Sequence, residues 1–376
     1  MPLVLLLEVS SLKNKISLFI AVLTLSVIFN FLTQSSSEAA ATGCLKTDDG
    51  TAIKVTAQAN MFALAGTTTY DQNQCSQEPD EYKLTFYKVA LCTADPYKGA
   101  ADPDFSTCSN IFNNAAGTEQ TIKPDEETDL LSGDLVLPIG TYPYLVVMVN
   151  NHLHIKHKQK YVLADGTTDA TFYGNTTGSG TYCWTITAVT TYTNFIADGE
   201  VPNWPTSYNG AHEVTLLESG PGTTNARLKC GSAVPANFDA STDSTYFATE
   251  IIDDLADEPD TDAFLANVDY YDAEEETGVT GIDMAQNLIQ DNDVTLATNG
   301  NNAKRLLSHF KYASPVVISE NTVGFKMRFS TYSAVSIDMA SNGSGGTFKM
   351  WGAKVGADPF MVQIQTKTKR ARGAWR

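Results

Sequence analysis

Residues 323–329, Val-Gly-Phe-Lys-Met-Arg-Phe, decide the fold. Val323, Phe325, Met327 and Phe329 fall on one side of an extended chain, and Gly324, Lys326 and Arg328 on the other. That period of two is the mark of a half-buried strand. Val335, Ile337 and Met339 repeat it around Ser336 and Asp338, Phe348 and Met350 flank Lys349, and Phe360, Val362 and Ile364 alternate with Met361 and Gln363. The link SNGSGG at 341–346 is rich in turn formers. Residues 315–366 are therefore predicted to form a four-strand antiparallel meander.

Working outward, the same signal recurs upstream. YKLTFYKVAL at 82–91 puts Tyr82, Leu84 and Phe86 on one face. TYPYLVVMV at 141–149 is apolar almost throughout, as in a strand covered on both sides. TYCWTITAVT at 181–190 alternates again. Three short helices are expected, at 249–256, 282–290 and 301–311, and no fixed internal repeat is visible. The fold class is all-β: an antiparallel β-sandwich, one large or two small, with a few short helices.

The chain has 376 residues, with 43 acids against 25 bases and a net charge of −18. Such a balance excludes attraction to nucleic acid or to anionic membrane by bulk electrostatics. Eleven of the acids lie between 253 and 276, a stretch without Lys or Arg. The expected organisation is a signal peptide (1–41), a β-sandwich domain (42–245), an acidic, partly helical insertion or linker (246–310), the C-terminal meander (311–366) and a basic tail (367–376).

Export is read from the N-terminus. Lys13 and Lys15 precede an apolar run at 16–32, and Ala39-Ala40-Ala41 follows, the three parts of a secretory signal with cleavage after about Ala41. Left uncleaved, this segment would be the chain's one membrane contact. A lipidated Cys44 is the weaker reading, because the apolar run ends twelve residues before it. All six cysteines lie past the signal, which allows up to three disulfides in an oxidising compartment; free buried thiols are the alternative. Cys92–Cys108 is the expected pair, clamping the Pro/Asp/Gly-rich loop between them. The protein is expected to be extracytoplasmic: periplasmic, on the cell surface or secreted.

Leu137-Pro138-Ile139-Gly140-Thr141-Tyr142, running into the apolar strand that ends at Val149, resembles the L-P-x-G-x-Y turn-to-strand step of prealbumin-like sandwiches in bacterial surface proteins and lipoproteins. YKLTFYKVAL and Asp129-Leu130-Leu131 resemble the same kind of domain. The resemblance covers residues 80–165, and the loop between Cys92 and Cys108 departs from it. It implies an extracytoplasmic binding or structural module and carries over no catalytic residue.

Three groups of residues could carry chemistry. His152 and His154 share one face of a strand, a usable spacing for copper or zinc, whereas His157 faces the other way and Lys156, Lys158 and Lys160 would repel a cation. The plainer reading is a polar strand followed by a solvated basic turn. Asp257, Asp260 and Asp262 in the acidic run are the first candidates for calcium; the run lacks a D-x-D-x-D-G loop and also reads as a solvated charge run. The long loop 194–213 carries Trp204, Tyr208 and His212, aromatics with polar neighbours that suit sugar stacking or a protein hot spot; the alternative is a Trp204 that plugs the sandwich.

Catalytic signatures are missing. His212-Glu213 begins an H-E-x-x-H, but position 216 is Leu, and neither G-x-S-x-G nor a phosphate-binding glycine loop occurs. The expectation is an exported, non-catalytic protein with a structural or adhesive role at the cell surface. Its partner would be a surface glycan, a protein or copies of itself. Self-contact is favoured by a strand-like stretch at 52–58 and by the opposite charges of acidic run and basic tail. The alternatives are a carbohydrate- or ligand-binding module and an extracellular hydrolase, whose carboxylate pair needs no local motif.

Overall fold

The structure is a computed structural model. It describes residues 43–56, 62–70, 72, 74–124, 137–173, 179–187, 227–240, 244–252, 255, 270–272, 279–298, 302–340, 352–357 and 360–368. All of them belong to one compact unit, Ala39–Arg376.

The chain forms strands almost throughout. The first seven are β1 (Ala52–Val55), β2 (Gln74–Gln77), β3 (Glu81–Cys92), β4 (Cys108–Ile122), β5 (Gly140–Asn150), β6 (His152–Lys156) and β7 (Lys158–Leu163). The middle of the chain adds β8 (Phe172–Tyr173), β9 (Ser179–Gly180), β10 (Tyr182–Ile186), β11 (Arg227–Gly231), β12 (Ala248–Ile251) and β13 (Tyr271–Asp272). The last six are β14 (Ile282–Ile289), β15 (Arg305–Ile318), β16 (Thr322–Ser330), β17 (Val335–Ala340), β18 (Gly352–Ala357) and β19 (Met361–Thr368).

An eight-stranded sheet dominates, in the order β12-β6-β3-β5-β15-β14-β13, with β4 on the other side of β3. Its centre is the run 140–163, which stays extended through β5, β6 and β7. β5 and β6 lie end to end along one edge of β3, Leu91 opposite Leu145 and Tyr82 opposite Ile155. Asn151 separates them. Its buried side-chain amide donates to Ile252 O (3.0 Å) and Ala303 O (3.2 Å), so the neighbouring strand changes from β15 to β12 at this point without orphaning a backbone group. At His157 the run leaves the large sheet. β7 joins a four-stranded sheet, β1-β7-β10-β11, with β1 parallel to it. Thr185 secures this corner by accepting the His157 N–H (2.9 Å) at its hydroxyl.

Alternation gives the large sheet two different faces. On the inner one Leu84, Phe86, Leu145, Val147, Val149, Met284 and Phe310 are fully or almost fully buried. They join a core cluster that runs from Cys44 to Val362 and includes residues of every larger sheet. Phe329 and Phe360 close over it, their rings 5.5 Å from Phe86 and 5.9 Å from Tyr82. At the turn of the L-P-x-G-x-Y step, buried Tyr142 donates its hydroxyl to Pro138 O at 2.7 Å and so pins the entry to β5.

The all-β class is therefore observed, and four expectations are corrected. The helices at 282–290 and 301–311 are β14 and the start of β15; both are buried on both faces, so no alternation betrays the strand. Residues 248–251, at the start of the third expected helix, are β12, preceded by the 3-10 turn Ser244–Tyr246. The C-terminal strands are nested, not sequential: β16 pairs β19, while β17 pairs β18 and also β2. The expected boundary at 310/311 lies inside β15, where Pro315 is accommodated at a register shift between Lys311 and Val316. The described part of the strand-like stretch, 52–56, is no free donor. In β1, Ile53 and Val55 are fully buried, with β7 on one side and Leu45 O accepting from Lys54 N on the other.

The six cysteines form three disulfides: Cys44–Cys75, Cys92–Cys108 and Cys183–Cys230. The second is the expected pair. Cys92 and Cys108 stand directly opposite in the β3–β4 ladder, as do Cys183 and Cys230 in β10–β11. Three bridges point to an oxidising environment.

Candidate functional site

No second sheet covers the outer face of the large sheet among the described residues. Short segments close it at two places, and between them it is polar.

At one end lies the loop 93–107, held at its base by Cys92–Cys108. Its carbonyls and acids meet the sheet. Asn287 Nδ2 donates to Gly99 O (3.2 Å), Leu296 N to Asp102 Oδ1 (2.8 Å) and the Tyr270 hydroxyl to Asp95 Oδ1 (2.9 Å). Beneath the loop is a second, small core of Tyr87, Ala90, Val146, Met148, Ile289 and Leu307. The loop thus covers a core, where the sequence suggested only a clamped turn. Tyr97 stands edge-on to the His309 ring at 5.0 Å and to Tyr270 at 5.5 Å. His309 is fully buried. Its Nε2 bonds Asn287 Oδ1 at 2.8 Å, while its Nδ1 has no hydrogen-bond partner among the described residues. Burial holds this imidazole's pKa down at about 3 and pushes the Tyr270 phenol up, helped by Asp95.

At the other end Lys156 and Glu81 face each other across β6 and β3 and form a buried ion pair, Nζ to Oε1 3.0 Å. Lys123 adds a second cation at 3.8 Å from the same oxygen. Phe238 and Phe247 cover the pair, their centroids 5.1 and 5.9 Å from Lys156 Nζ. Lys83 lies over the Phe247 ring at 4.3 Å, and Lys158 pairs with Asp239. The expected solvated basic turn is thus corrected at its start: Lys156 and His157 are buried, while Lys158 and Lys160 are partly exposed. Burial, then the nearby charge of Lys46, lowers the His157 pKa to about 3.

Between the two ends lie His152 and His154. They share the outer face of β6, as their spacing predicts. His152 is exposed; half-buried His154 has its Nδ1 2.7 Å from Thr249 Oγ1 on β12. Burial lowers both pKa values, with Lys304 adding to the effect at His152. Lys83 stands opposite His154, paired with Glu119 at 3.5 Å. Among the described residues no group of three His, Cys, Asp or Glu is gathered to hold a metal. Around the two histidines stand the Thr249 hydroxyl, the ammonium groups of Lys83 and Lys304, and the Glu119 carboxylate, which acts on His154.

Trp204, Tyr208 and His212 lie outside the described residues, as do Asp257, Asp260 and Asp262, the signal segment, and residues 369–376 of the basic tail. Sequence reasoning missed Glu81, Lys156 and His309. Glu81 and Lys156 are 75 residues apart, and nothing local marks them as partners. His309 stands in Leu306-Leu307-Ser308-His309-Phe310, an apolar run whose one imidazole is a cue to burial.

Comparison with protein families, with curated proteins and with solved structures gives no match to this chain. Function has to be argued from the geometry alone.

Proposed function

We propose that this is an exported, non-catalytic protein with a structural or adhesive role at the cell surface, and that the edge strand β4 is where it accepts a strand from a second copy. β4 is the observation that carries the reading. Among the described strands its one ladder partner is β3, from Tyr82↔Ile122 to Cys92↔Cys108. Its fifteen residues, CSNIFNNAAGTEQTI, hold one acid and no Lys, Arg or Pro, so the side chains that commonly guard an edge are missing. A four-residue excursion at 114–117 divides the edge in two. Gly117 makes it possible: its φ is +79°, and a Cβ there would stand 2.6 Å from Thr85 Cγ2. The segment Thr118–Ile122 that follows is regular against β3. Three disulfides and the prealbumin-like turn step at 137–142 support an extracytoplasmic module of this kind.

Antiparallel self-pairing about a two-fold axis centred on Gln120 places that residue opposite its own copy. Light scattering after size exclusion, on oxidised protein recovered from an exporting host, tests this. The expected result is a dimer or larger species that grows with concentration. Gln120→Lys, which sets like charges opposite, should shift it to monomer, whereas Val294→Lys, in an exposed turn, should not. A monomer at every concentration, or equal association in both variants, removes the edge reading.

A further inference from the structure

The three disulfides are not equally protected. Cys44, Cys75, Cys92, Cys183 and Cys230 are each no more than 4% exposed. Cys108 alone is partly open to solvent, at the rim of the small outer core. Its bridge holds no two sheets together. It closes the base of a loop whose other ties to the sheet are hydrogen bonds from Tyr270, Asn287 and Leu296, the edge contacts of Tyr97, and Phe105, which packs on the small core with Lys88 Nζ 4.2 Å from its ring centroid. By contrast, Cys44–Cys75 ties the N-terminal segment to β2, and Cys183–Cys230 joins two strands of the four-stranded sheet; the sulfurs of both lie in the main core.

We propose that Cys92–Cys108 is a thiol-responsive latch: a dithiol reductant opens it selectively, and its opening releases the loop 93–107 from the outer core while the rest of the fold stays closed. In the first step a thiolate of the reductant attacks Sγ of Cys108, the partly exposed partner, and Cys92 leaves as thiolate. The reductant's second thiol then attacks the mixed disulfide, giving Cys108 thiol and the oxidised, cyclic reductant. Two electrons pass to the protein and one disulfide is exchanged for another. The protein loses the covalent tie at the base of a loop spanning 16 positions, where only ladder pairing such as Leu91 with Ser109 and the Thr93 N–H to Thr107 O bond (3.2 Å) remain. The surface uncovered is His309, Asn287, Tyr270 and the apolar residues beneath Tyr97. The device is independent of the β4 edge and stands whether or not that edge pairs.

The test uses the oxidised protein without denaturant. Dithiothreitol is titrated, free thiols are trapped with iodoacetamide, and the labelled peptides are mapped. The expected result is labelling of Cys92 and Cys108 at reductant levels that leave the other four cysteines oxidised. In the same samples, trypsin cleavage after exposed Lys98, inside the lid, should speed up by at least tenfold, and the Leu296 amide, which donates to Asp102, should lose its protection from exchange. The Cys92→Ser/Cys108→Ser double variant should show fast Lys98 cleavage without reductant. Reduction of all three bridges together, reduction of Cys92–Cys108 after either of the others, or selective reduction without faster cleavage would overturn the proposal. The wild-type titration decides even if the double variant does not fold.

Discussion

The two faces of the large sheet are closed in different ways. The inner face is covered by other strands, and its side chains merge with the main core. The outer face meets no second sheet among the described residues, and two short covers do the work. One is a loop tied down by a disulfide over the small core of Leu307, Val146 and Met148. The other is a pair of phenylalanines over the Lys156–Glu81 ion pair. Broad apolar packing is cohesive without any one contact mattering absolutely. A small cover has little buried area, so it depends on a covalent tie or on charges that have no other place to go. The inner face should therefore carry the stability of the unit, and the outer face should be where local change is tolerated.

The largest expected effect is on the inner face. Phe310 is fully buried in the main core, and Phe310→Ala should cost about 3–5 kcal/mol, from lost transfer energy plus the cavity. Leu307, its near neighbour on β15, points to the outer core and is equally buried. Leu307→Ala should stay at the low end of its class, about 2–3 kcal/mol, because the overlying loop can settle into the space. Urea midpoints of the two variants measure the difference. Equal losses would mean that the outer cover is as rigid as a sheet.

Next comes the ion pair. Lys156→Met leaves the Glu81 carboxylate buried, with only the more distant Lys123 to answer it, and should cost about 3 kcal/mol. Replacing both groups, Lys156→Met with Glu81→Leu, removes the desolvation cost along with the attraction and should recover most of that loss. A double variant no more stable than the single one would show that the pair is a net stabiliser, and that this end of the outer face is built more like the inner one.

How far the sequence foretold this comparison depends on the length of each signal. The half-buried strands were legible: Tyr82, Leu84 and Phe86 do share a face, and so do His152 and His154. Strands buried on both sides were not. Ile282–Ile289 and the start of β15 carry no alternation, so their apolar residues read equally well as helix turns. Pairing was hidden for another reason. Four C-terminal strands in a row suggest a meander, but Ile337 is buried opposite Cys75 of β2, a contact that no local pattern announces. The Cys92–Cys108 bridge was foreseeable because its strand, loop and strand are contiguous. The core beneath its loop comes from Leu307, Val146 and Met148, far away in sequence. Of the candidate site residues, only the two strand histidines and this cysteine pair fall within the described residues.

The smallest effect is a slope. His309 under the outer lid and His157 at the sheet corner both have folded-state pKa values near 3 because they are buried as neutral rings. In the unfolded chain each titrates near 6.5. Between those values the unfolded state holds more protons than the folded one, so stability is unaffected above about pH 6.5 and falls as the solution becomes more acidic. Each histidine contributes up to about 1.4 kcal/mol of loss per pH unit in that window. Urea midpoints at pH 7.5, 6 and 5 should decline, and His309→Gln should decline less steeply. The comparison of the two faces is sharpened by repeating the series with Cys92–Cys108 reduced. With the lid free, water reaches His309, its folded pKa rises toward the unfolded value, and its share of the slope disappears, while that of His157 remains. A slope unchanged by reduction would mean that His309 is kept dry by the sheet itself and not by the cover above it.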